Sequence, residues 1–88
     1  MVYNRRSELE IIKEIVTLSK EGARTTEIIY QCNLSYTQCK EYISFLVKND
    51  ILEKKIIKNG NGSTNLYTTT EKGHDLLENI NKTLVYLK

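Results

Sequence analysis

Five lysines, Lys40, Lys48, Lys54, Lys55 and Lys58, fall within residues 35 to 62, against only three acids, Glu41, Asp50 and Glu53. Elsewhere the charges cancel: residues 1 to 34 carry five bases and five acids, and residues 63 to 88 carry three of each. The whole formal excess of +2 therefore sits in one block. Ammonium groups interleaved with Tyr36, Thr37, Gln38, Ser44, Asn59, Asn61 and Ser63 suit contact with phosphates and other polar edges. Other chemistries find less support. Cys32 and Cys39 with a single His74 are too few ligands for a structural zinc site. They read as buried thiols, or as a disulfide between two helices if the source is a hyperthermophile. His74 has no serine, cysteine or paired carboxylate in a catalytic arrangement and reads as a surface or packing residue. The Gly60-x-Gly62 pair lacks the strand-to-helix context and the Lys-Ser/Thr of a phosphate loop, so it reads as a turn. No catalysis, cofactor, metal or small-molecule ligand is expected.

The elements that must position these residues can be read from period and punctuation. Eighty-eight residues make one small domain. Such a chain buries only about 60% of the surface its unfolded form exposes, which makes self-association a natural supplement. Its apolar runs are too short for a membrane span. Arg5 and Arg6 lead into Ser7-Glu8-Leu9-Glu10 with no apolar h-region, so no signal peptide is expected and the chain reads as cytoplasmic. Ser7 and the acids behind it open a helix to Ser19, whose Leu9, Ile12, Ile15 or Val16, and Leu18 recur every three to four residues, with Ile11 widening the stripe and Gly22 as the stop. Arg24-Thr25-Thr26-Glu27 offers a threonine cap for a short second helix through Ile28, Ile29 and Cys32. Ser35-Tyr36-Thr37-Gln38 has the form of a capping box and opens a third helix with a stripe of Cys39, Tyr42 or Ile43, Leu46 and Val47. Asn49-Asp50 tolerates the left-handed conformation that ends it. Ile51 to Lys58 and Leu66 to Thr69 read as two strands of a hairpin with a tip of roughly five to seven residues. Thr70-Glu71-Lys72-Gly73 restarts a helix, along which Leu77, Ile80, Leu84 and Leu87 make a heptad-like seam suited to a dimer contact.

The order helix, helix, helix, hairpin, helix fits a winged helix-turn-helix, mainly α with a small β-hairpin. Leu34-Ser35-Tyr36-Thr37-Gln38, the run from Leu46 to Leu52, and Leu66-Tyr67-Thr68-Thr69-Thr70-Glu71-Lys72-Gly73 resemble the archaeal winged helix-turn-helix DNA-binding proteins. In particular they resemble the small chromatin-associated group that dimerises through its C-terminal helix. Its most specific pieces are the L-S-Y-x-Q start of the third helix and the Y-x-x-T-x-K-G before the last. Two departures stand out: Asp50 occupies a position where many winged helices have Gly, and residues 71 to 88 are shorter than the long dimer arm of the chromatin type.

The resemblance implies a nucleoid-associated homodimer on double-stranded DNA, with residues 1–70 as the binding domain and 71–88 as the dimerisation element. The third helix, 35–49, would enter the major groove, presenting Tyr36, Thr37, Gln38, Lys40, Glu41 and Ser44. Gln38 has a competing role as the capping partner of Ser35. The 52–69 wing would bring Lys54, Lys55, Lys58, Asn59 and Asn61 to the backbone or minor groove; the alternative for its lysines is a solvated edge strand guarded against aggregation. Arg5 and Arg6 would add a basic arm or form an unstructured terminus. A protein-docking winged helix is the competing function, because Glu41, Asp50 and Glu53 on the reading surface repel phosphate.

Overall fold

The computed structural model describes residues 7–87; Arg5 and Arg6 lie outside the described residues, as do the side chains of Leu84 and Leu87. Helix α1 spans Glu8–Leu18. It begins in a capping box: the Ser7 hydroxyl accepts from the Glu10 N–H at 3.1 Å, while the Glu10 carboxylate accepts from the Ser7 N–H at 3.2 Å. Ile15 and Val16 are fully buried, and Ile11, Ile12 and Leu18 pack around them, as the broad apolar stripe requires. A single turn of tighter helix, Ser19–Glu21, and Gly22 at φ +93° redirect the chain.

The next element carries no sequence period of its own. Ala23–Arg24 forms a two-residue strand, β1, pairing with Tyr67 and Leu66. That pairing holds Arg24 extended, so helix α2, Thr25–Gln31, starts one residue earlier than a threonine cap would place it. Its cap is Arg24, whose N–H donates to the Glu27 carboxylate at 3.0 Å. Asn33, at φ +52°, makes the turn into helix α3, Tyr36–Lys48.

Helix α3 starts with the expected capping box: the Gln38 N–H donates to the Ser35 hydroxyl at 3.1 Å, and the Ser35 N–H donates to the Gln38 carboxamide oxygen at 3.0 Å. Cys39, Ile43 and Leu46 are its buried stripe. The helix ends in a Schellman arrangement, with Asp50 at φ +61°, the Ile51 N–H on the Leu46 carbonyl and the Asp50 N–H on the Val47 carbonyl.

Strands β2, Leu52–Asn59, and β3, Gly62–Thr69, pair along their whole length, from Leu52 opposite Thr69 to Asn59 opposite Gly62. The tip is therefore the two residues Gly60 and Asn61, not five to seven. Gly60 at φ +56° in the first central position supplies the turn that matches strand twist, so pairing continues through Ser63 and Thr64. The antiparallel sheet has the order β1-β3-β2, leaving β2 at the edge.

Helix α4, Glu71–Leu87, is anchored by Thr70. The Thr70 hydroxyl accepts from the Gly73 N–H at 3.0 Å and donates to the Asp50 and Ile51 carbonyls, and the Thr70 N–H also reaches the Ile51 carbonyl. Leu77 belongs to the one core shared by α1, α2, α3 and the sheet. Leu77 and Ile80 are 5% and 3% exposed within the single chain, so the first half of the expected dimer seam is already covered and offers a partner little surface. The Thr69 hydroxyl, donating to the Val16 carbonyl at 2.7 Å, ties β3 to α1. Among the described residues no helix is long and apolar enough to cross a membrane.

Candidate nucleic-acid interface

Residues 36, 40, 44 and 48 of α3 are spaced by one helical turn each and share a flank. That flank faces the wing. Tyr36, Lys40, Ser44 and Lys48 from α3, Lys54 from β2, Asn65 and Tyr67 from β3 and Thr25 from α2 line a groove of about 490 Å³, floored by Ile43 and Val47. Among the described residues three lysines enter it and no acid lines it. The Lys40 ammonium sits 5.4 Å from the centre of the Tyr36 ring, a cation–π contact that holds its direction along the groove.

Strand alternation divides the wing's charges. Successive side chains of β2 point to opposite faces, and directly paired residues share a face. Leu52, buried in the core, sets the inner face, which carries Lys54, Ile56 and Lys58 with Tyr67, Asn65 and Ser63 opposite them. Glu53, Lys55, Ile57 and Asn59 take the outer face. There Lys55 pairs with Glu53 at 3.7 Å, so its charge is locally compensated, and Asn59 donates to the Thr64 hydroxyl at 3.3 Å. The three wing lysines are thus not equivalent. Lys54 lines the groove, Lys58 continues the same face towards the tip, and Lys55 points away.

The expected reading residues on α3 are all exposed, but they too divide. Glu41 lies on the outward surface with Lys40, Ser44, Phe45 and Lys48, and also borders a shallow depression with Gln38, Tyr42, Phe45, Glu8 and Ile12 on the flank opposite the groove. Thr37 is exposed in the first turn. Gln38 has its carboxamide oxygen committed to the Ser35 N–H. Asn61 is exposed at the wing tip. Thr25 and Asn65 line the groove without any expectation from the sequence, and Lys48, counted there only within the basic block and not among the reading residues, lines it too. Lys48 could have been found, since it continues the four-residue spacing from Tyr36 and Lys40. Nothing local marks Asn65 or Thr25, whose placement depends on strand register and on the packing of α2 beside the wing. Cys32 and Cys39 are buried thiols with no disulfide between them, and burial pushes the Cys39 thiol above its ordinary value.

A helix-turn-helix followed by a two-stranded wing, with a basic groove between the third helix and the wing, defines a winged-helix protein. Residues 5–87 match the winged helix-turn-helix family, and the chain belongs to it. An uncharacterized protein of Methanocaldococcus jannaschii is 39% identical over 51 residues, covering 57% of this chain and 53% of the relative. The chain thus spans about half the length of that curated relative. Among solved structures, Sso10a-2, a DNA-binding protein from Sulfolobus solfataricus, superposes with a TM-score of 0.80 at 27% identity, covering 92% of this chain and 81% of its own. A PadR family transcriptional regulator from Eggerthella lenta superposes with a TM-score of 0.79 over 88% of this chain and 73% of its own; at 13% identity it speaks for the fold alone.

Proposed function

We propose that the chain is an archaeal double-stranded DNA-binding protein, acting on the nucleoid as a homodimer in transcription regulation or chromatin organisation. One observation carries this reading: Lys40, Lys48 and Lys54 converge on a groove whose lining, among the described residues, holds no acid, although Glu41, Asp50 and Glu53 each lie within two residues of one of them in sequence. Segregation of charge by face, in a chain of net +2, is what a phosphate strand requires. In this reading the helix over 35–49 enters the major groove and offers Thr37, Lys40, Glu41 and Ser44 to base edges. The wing over 52–69 brings Lys54 and Lys58 to the sugar-phosphate backbone, and Arg5 and Arg6, which lie outside the described residues, are two further cations proposed for phosphate contact.

Residues 1–70 carry the DNA contacts, and 71–88 carry self-association through the end of α4, where Val85 and Tyr86 are exposed. One protomer neutralises about four phosphates and a dimer about eight, for a slope of roughly −7 in log K against log[salt]. Fluorescence anisotropy against duplex DNA across a salt series tests this. Steeply salt-dependent binding is expected, and absence of binding at low salt would overturn the reading.

The opposite flank of α3 favours a second reading, a protein-docking module. Phe45 is 54% exposed there, beside Tyr42 and the acids Glu8 and Glu41. If that flank is the working surface, Phe45→Ala abolishes function in the cell while duplex binding is absent from the start.

A further inference from the structure

We propose that the outer half of the wing reads the minor groove of A·T-rich duplex, with Ile56 packed against its floor and Asn65 donating to base edges. This rests on the duplex-DNA reading above and names the base-pair class that the same surface selects. Ile56 is 63% exposed, although the same strand buries Leu52 almost completely. It stands between Lys54 and Lys58 on the inner face of the wing, directly opposite Asn65. That face continues the basic groove, whose lining already includes Lys54 and Asn65. The outer face, by contrast, is neutralised by the Glu53–Lys55 pair.

The physical question is which ligand satisfies two lysines and the bare isoleucine between them. A phosphate strand alone satisfies the ammonium groups and leaves the isoleucine against charged oxygens. An apolar protein surface buries the isoleucine and strands the lysines. A groove with phosphate walls and a floor of sugar and base edges satisfies both. Lys54 and Lys58 are four residues apart, roughly 13 Å along a strand, enough to straddle a minor groove about 6 Å wide. Apolar wedges beside asparagine or basic side chains are a recurrent means of engaging that groove. The asparagine amide can donate to adenine N3 or thymine O2, whereas the guanine 2-amino group places a donor and extra bulk where Ile56 and Asn65 must approach.

The test uses the full chain and three alternating duplexes of equal length, A·T, G·C and inosine·C, titrated by fluorescence anisotropy at fixed low salt. Inosine keeps the major-groove edge of guanine and lacks its 2-amino group. Expected is comparable affinity for A·T and inosine·C and about tenfold weaker binding to G·C. In Ile56→Ala and Asn65→Ala, both at exposed positions whose folding is checked by circular dichroism, the ratio falls towards one. Lys54→Ala weakens all three duplexes by a common factor. Inosine·C tracking G·C, equal affinity of the wild-type chain for all three, or variants that keep the full ratio would overturn the proposal while leaving DNA binding intact. Failure of every duplex to bind would overturn the DNA reading itself.

Discussion

Gly73 is where one missing methyl group decides the packing. A Cβ there would overlap the Ile51 carbonyl oxygen and lie 2.7 Å from the Thr69 methyl. In an ordinary helix interior Gly→Ala gains about 1 kcal/mol. Here the backbone oxygen cannot yield without breaking the Thr70 bonds that hold α4 to the end of α3, so overpacking wins. Gly73→Ala should cost about 2 kcal/mol net in urea unfolding. Ser19 makes the opposite case. Its side chain is fully buried and its hydroxyl has no hydrogen-bond partner among the described residues, so Ser19→Ala should raise stability by about 1 kcal/mol, read as a higher melting temperature. Cys39 links burial to pH. Its folded pKa lies above the ordinary value of 9.0 because desolvation disfavours the thiolate. Above about pH 9 the unfolded chain therefore releases this proton first and holds fewer protons than the native one, so stability falls as pH rises from there towards the folded pKa. Cys39→Ser should flatten that alkaline decline in melting temperature measured from pH 8 to 10. An unchanged pH slope would mean that other groups cause it.

At the scale of elements, the wing turns a run of similar lysines into two populations. Lys54→Ala should reduce the magnitude of the salt slope of duplex binding by about 0.9 per protomer, since it faces the acid-free groove. Lys55→Ala should leave the slope nearly unchanged, because its partner Glu53 shares the outer face. Equal effects of the two variants in a salt-titrated anisotropy series would refute the division. This division was not legible in the sequence. It depends on register, and a shift of one residue exchanges the two faces. The short strand β1 was equally hidden, because two residues carry no period and their partners, Tyr67 and Leu66, lie more than forty positions away. Features closed within a few residues were readable: the Ser35–Gln38 capping box, the buried stripe of α3, the left-handed Asp50 and the Thr70 start of α4. The Y-x-x-T-x-K-G run can now be given physical reasons at three positions. Tyr67 is buried, Thr70 caps α4 and clasps the turn after α3, and Gly73 admits the Ile51 carbonyl.

For the whole molecule, the apolar period of α4 did not say which surface each residue meets. Leu77 belongs to the protomer's own core, and Ile80 is covered, which moves any partner contact towards the end of the helix. Val85 and Tyr86 are 71% and 88% exposed there. Two adjacent exposed side chains are a small patch, so the proposed dimer should be concentration-dependent. Sedimentation equilibrium at tens of micromolar should give about twice the 10.2 kDa chain mass. Val85→Asp with Tyr86→Asp should return it to 10.2 kDa with little change in the cooperativity of urea unfolding, because neither side chain supports the core. Leu77→Asp, by contrast, should unfold the protomer. A wild-type chain sedimenting as a monomer would rule out the dimer. Loss of the dimer should also halve the salt slope of DNA binding and remove any preference for two half-sites set about 34–36 Å apart, because that spacing exists only when one assembly carries two reading helices.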